Sequence, residues 1–132
     1  MSDGFSSSKF VTAFAPDAYA AGAFSAGDAV DLSGFQYAVF VIQVGASAGT
    51  ITLQLETSAA SGSGYSDVSG ATYAAGAADQ VAVIAVRAEK VSQYVRFKAG
   101  TVATGAMDMG ALCILTNSIN TANYATTPDV VI

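Results

Sequence analysis

The chain has 132 residues, a formal net charge of −5, and a composition that is 52% hydrophobic and only 11% charged. This length fits one domain around one core, and so large an apolar fraction excludes a disordered chain. With no histidine and a single cysteine, an intrachain disulfide, a His or Cys zinc cluster and a Ser-His or Cys-His nucleophile pair are excluded as well; five basic residues in total argue against a surface that wraps nucleic acid.

Residues 1–27 are rich in Ser, Ala and Gly, carry Phe5, Phe10, Phe14, Tyr19 and Phe24 at irregular spacing, and contain Pro16, which interrupts any helix. They are expected to form an extended arm whose aromatic side chains pack on the body of the domain or on a neighbouring molecule. Ala18-Tyr19-Ala20 has the spacing of a leader-peptide cleavage site, but Asp3 replaces the basic start and the apolar run 10–15 ends at Pro16-Asp17. The segment is therefore read as an arm rather than an export signal. The apolar run 38–44 is also far shorter than the roughly 20 residues of a membrane helix.

From residue 28 to residue 116 the sequence alternates short apolar strands with Gly/Ser turns, which predicts an all-β domain, an antiparallel β-sandwich of jelly-roll or Ig-like type. The stretch 38–44 is apolar on both parities. Phe40 and Ile42 are expected to face inward, with Val39 and Val41 covered by the arm or by another subunit. In 50–57, Ile51, Leu53 and Leu55 alternate with Thr52, Gln54 and Glu56, giving one core face and one wet face. After a Gly/Ser loop at 58–64, further strands are predicted at 65–68, 81–86, 93–99 and 111–116, with the Ala-rich run 71–78 read as a loop or short turn. Residues 117–132 form a polar tail that ends in Val130, Val131 and Ile132, three apolar residues expected to dock as an edge strand on the chain's own sheet or on a partner.

Candidate chemistry is sparse. Asp28 and Asp31 lie three apart, which in a strand puts them on opposite faces and prevents a shared catalytic proton. Asp67, Asp79 and Asp108 are scattered, and no loop has the dense oxygen-ligand spacing of a calcium site. Neither a metal nor a cofactor is expected, and Cys113, between Leu112 and Ile114, is read as a core residue. Arg96 and Lys98 share one face of a predicted strand and form, with Arg87 and Lys90, a positive stripe on an acidic protein. That stripe is either a solvated face or an interface with acidic groups. Tyr65 and Tyr73 beside Gly/Ser loops offer rings on which a sugar could stack.

The segment Val30-Asp31-Leu32-Ser33-Gly34-Phe35, the strand at 38–44, Gly45, the strand at 50–57 and the Gly/Ser loop leading to Tyr65-Ser66-Asp67-Val68 resemble small structural proteins of tailed-bacteriophage virions, as does the aromatic-Val-Arg segment Gln93-Tyr94-Val95-Arg96-Phe97. The likeness covers about residues 28–116. It implies a capsid decoration, or cement, protein without enzymatic activity that assembles in the host cytoplasm, coats the virion, binds the major capsid protein and is often a trimer. Phe5, Phe10 and Phe14 in the arm, Arg96 and Lys98 on the stripe, and Val130, Val131 and Ile132 at the end are the expected interface residues. A glycan-binding or host-surface-binding head-fibre module using Tyr65 and Tyr73, and a structural protein of the tail or the head–tail junction, are the alternatives.

Overall fold

Strands follow from the alternation of side chains and are closed by turns. The computed structural model describes residues 8–117 and the backbone of Val130–Val131. In chain order its strands are β1 (Lys9–Tyr19), β2 (Gly22–Phe24), β3 (Val30–Asp31), β4 (Tyr37–Ser47), β5 (Ile51–Ser58), β6 (Ser66–Ala75), β7 (Gln80–Arg87), β8 (Tyr94–Phe97), β9 (Gly100–Val102), β10 (Met107–Thr116) and β11 (Val130–Val131), with one 3-10 turn at Ala88–Lys90.

The strands form a five-stranded sheet, β1-β10-β4-β7-β11, a four-stranded sheet, β3-β8-β5-β6, and the small pair β2-β9. All pairings are antiparallel except β11 on β7. With the short β2, β9 and β11 set aside, the pairing is nested: β1 joins β10, β3 joins β8, β4 joins β7 and β5 joins β6. First strand pairs with last and each next with the one before, which is the connectivity of a jelly roll rather than of an Ig domain.

Between the sheets lies one core. Phe40, Ile42 and Ile84 from the five-stranded sheet meet Leu53, Leu55 and Phe97 from the four-stranded sheet, all fully buried. Phe97 packs edge-on against Phe14 at 5.3 Å and against Phe40 at 5.5 Å between ring centroids, so that one ring ties the two sheets together.

Two segments differ most from the sequence reading. Residues 9–19, expected as an arm, are the first strand of the five-stranded sheet, paired with β10 from Lys9 opposite Leu115 to Tyr19 opposite Met107. Pro16 is accommodated because β1 is an edge strand whose register shifts between Phe14 and Asp17, where no ladder bond needs its missing N–H. These shifts also explain the irregular aromatic spacing: Phe14, Tyr19 and Phe24 converge in edge-on contacts of 5.3 to 5.8 Å. The second segment is β6, which runs to Ala75 through the Ala-rich stretch read as a loop. Ala71 and Ala75 are buried, and pairing with β5 supplies what their weak strand preference lacks. Gln54 stitches the bulge between the two strands, its Nε2 donating to the carbonyls of Leu55 and Val68 at 2.7 Å each.

Candidate functional site

The outer faces of the two sheets differ in kind. On the four-stranded sheet, β5 presents Thr52, Gln54 and Glu56 outward, as its alternation predicts. The positive stripe lies across it. Arg96 Nε donates to Glu56 Oε1 at 2.7 Å, with side-chain exposures of 27% and 9%, and its guanidinium sits 3.7 Å above the Tyr65 ring centroid. Burial holds the Tyr65 phenol above its ordinary value of 10.0, against the opposing pull of the Arg96 guanidinium, and its hydroxyl donates to the Ser61 carbonyl. Lys98 Nζ pairs with Asp67 at 3.1 Å. The basic residues expected to meet a partner's carboxylates thus meet carboxylates of their own sheet, one strand away for Arg96 and two for Lys98.

Tyr65 and Tyr73, the two rings offered for sugar stacking, are placed differently. One face of Tyr65 is occupied by Arg96, and Tyr73 packs partly buried against the core.

On the five-stranded sheet the outward parity is apolar over several strands. Three rows cross it. Phe10, Ile114, Val39 and Ala85 are paired in register; above them run Thr12, Leu112, Val41 and Val83; above these come Gly110, Gln43 and Val81. The exposed large hydrophobic residues among those described are Phe10 at 55%, Val81 at 59% and Leu112 at 42%, and all three lie in these rows. Covering such a face removes apolar area from water at about 25 cal/mol per Å², and leaving it open is uncommon for a small domain.

The face is stepped. Val39 and Ala85 are only 1% and 2% exposed, so the lower part is already closed within one copy, as is Thr116 beside them. From the row of Val41 upward the face is open and holds a groove of about 710 Å³, bounded by Thr12 and Pro16 of β1, Val41 and Gln43 of β4, and Gly110 and Leu112 of β10. Gly110 shapes its floor: a Cβ there would stand 2.8 Å from the Pro16 Cα, so only glycine lets β1 cross so closely. Asp17 and Asp108 stand on the rim of the groove.

The remaining expected residues fall elsewhere. Phe14 was expected at an interface, but it is 4% exposed and a core ring, a correction that follows from the strand character of β1. Phe5 and Ile132 lie outside the described residues. Val130 and Val131 pair in parallel with Ile84 and Ala85, the edge-strand arrangement on the chain's own sheet. Cys113 is fully buried on the inner face, and burial pushes its thiol up to about 12, which makes it a poor nucleophile. Asp31 accepts from the Ser33 N–H at 2.9 Å and from Gln93 Nε2 at 3.2 Å. Among the described residues no three His, Cys, Asp or Glu side chains gather as metal ligands.

No family model matches the chain, and neither a curated protein nor a solved structure matches it.

Proposed function

We propose that the chain is a virion structural protein, a capsid decoration protein that binds the outer face of a phage head, contacts the major capsid protein and stabilises the shell without a catalytic step. The observation that carries this reading is the apolar outer face of the five-stranded sheet, where Phe10, Leu112 and Val81 are exposed together. A surface of that kind is suited to burial against other subunits. Two further points support it. The resemblance of the strand-and-turn segments to small virion proteins runs through the body of the domain, and the jelly roll recurs in capsid and lectin domains, an argument by fold analogy alone.

The action is mechanical. Each contact adds buried apolar area at about 25 cal/mol per Å², less the cost of ordering the partners, and many such contacts link neighbouring capsomers against internal pressure. Arg96 over one face of Tyr65 leaves less ring surface for a sugar, which favours the decoration reading over a glycan-binding module.

Mass spectrometry and cryo-electron microscopy of purified particles test the proposal. Copies of the chain spread over the whole shell are expected. Copies confined to one vertex or to the tail, or absence from the particle, would overturn it.

A further inference from the structure

The outward line of β10 changes character along its length. Buried Met107, Met109, Ala111 and Cys113 alternate with outward Asp108, Gly110 and Leu112, so the sheet surface reads carboxylate, no side chain, large apolar side chain. Successive members of such a line stand about 6.6 Å apart, two residues of rise. The neighbouring strand changes in the same sense. β4 offers Val41, then Gln43, then Gly45, and a Cβ at Gly45 would lie 3.5 Å from the Asp108 Cβ. The groove of about 710 Å³ is therefore apolar at Leu112 and Val41, hollow over Gly110, and acidic at the rim where Asp108 and Asp17 stand.

That acidic end has no cation of its own among the described residues. Asp17 Oδ1 accepts from the Ala18 N–H at 2.8 Å, and no described Lys or Arg lines the groove. Arg87 pairs with Glu89, Arg96 with Glu56 and Lys98 with Asp67, none of them at the groove. A second copy of a chain with net charge −5 is a poor source of the missing cation, so the complementary occupant is a different, basic partner.

We propose that the groove takes an extended segment of another protein in which two apolar side chains and one Lys or Arg follow at alternate positions. In extended backbone, alternate side chains point the same way about 6.6 Å apart, which is the spacing of the outward line on β10. The first apolar side chain packs on Leu112 and Val41, and the second fills the hollow over Gly110. The cation reaches Asp108 and Asp17 with its aliphatic stem lying on the groove floor. Thr12 and Gln43 border the hollow and offer polar groups to the segment's backbone. Apolar burial supplies the affinity and charge supplies the direction, since a reversed segment would carry its cation onto Leu112. The inference deepens the virion reading, on which it rests only for the identity of the partner, by giving the chemistry of the capsid segment that this face meets.

The test uses the full chain, isotopically labelled, and synthetic peptides with no particle present. The probe is the capped heptapeptide Ser-Val-Ser-Leu-Ser-Lys-Ser, and the control carries Glu in place of Lys. In a titration followed by amide NMR, the Lys peptide should shift the signals of Gly45, Gly110 and Leu112, and the Glu peptide should bind about fivefold more weakly. Asp108→Asn should weaken the Lys peptide about twofold to fivefold, with an unchanged melting temperature because Asp108 is exposed. Salt at about 0.5 M should narrow the preference for Lys over Glu. Absence of shifts at these three amides, an equal response to both peptides, or an affinity that Asp108→Asn leaves unchanged would each overturn the proposal. A protein that binds particles yet gives any of these results keeps the virion reading and loses this one.

Discussion

The outer face of the four-stranded sheet carries its charges in pairs made within the sheet, Arg96 with Glu56 and Lys98 with Asp67, whereas the outer face of the five-stranded sheet presents Val41, Val83, Leu112 and Phe10 with little polar cover. Both faces belong to one jelly roll and enclose one core. Charge clustered in the sequence therefore marks a surface that is already neutralised, and the surface suited to a partner is the one whose strands are apolar on both parities. β4 shows the difference most plainly: Phe40 and Ile42 fill the core, and Val41, between them in sequence, is left half-buried on the outside.

Substitutions can break or sharpen this contrast. Phe97→Ala removes the ring that joins the sheets through Phe14 and Phe40, and should cost about 3–5 kcal/mol in urea unfolding, because it damages the support of both faces. Glu56→Ala strikes the polar face alone. It leaves Arg96 without its carboxylate at 2.7 Å and should cost about 1–3 kcal/mol, while the apolar face on the other sheet is left unaltered. Lys98→Ala breaks a pair whose side chains are about half exposed, and should change stability by less than about 1 kcal/mol.

The smallest expected effect is a pH dependence. The Ser33 N–H, with help from Gln93, holds the Asp31 carboxyl below its ordinary value of 3.8. A carboxylate with a depressed folded value stabilises the fold fully above its unfolded value, and that contribution is lost as the pH falls through the folded value. The urea midpoint of the wild type should exceed that of Asp31→Asn slightly near neutral pH, and the difference should vanish once the pH is well below 3.8. A difference that persists in acid would show that the asparagine acts through something other than charge.

Much of this was legible in the sequence. Alternation identified the inward set Ile51, Leu53 and Leu55, because burial on one face imposes a period of two; the run 38–44, apolar on both parities, marked a central strand with Phe40 and Ile42 inward, and its apolar neighbours marked Cys113 as a core residue. β1 was not legible. Its bulges break the period, and Pro16 reads as a terminator until an edge position makes it harmless. The start of β6 was legible in the strand at 65–68, but its continuation to Ala75 escaped because alanines carry little strand preference of their own. Arg96 and Lys98 were placed on the correct face, but their partners Glu56 and Asp67 come from other strands, forty and thirty-one residues away along the chain, and no spacing rule pairs residues so distant. Phe10 and Leu112 lie on strands at opposite ends of the sequence, so the apolar face emerges only when β10 is inserted between β1 and β4.

One measurement separates the two faces most directly: co-sedimentation of Leu112→Glu and of Lys98→Ala with purified particles, with the melting temperature of each. Leu112 is substantially exposed, so the charge should leave stability within about 0.5 kcal/mol yet weaken attachment by setting a carboxylate into the apolar face, while Lys98→Ala attaches as the wild type does. Attachment that survives Leu112→Glu unchanged, or is lost with Lys98→Ala, would contradict the account and return the interface to the polar face.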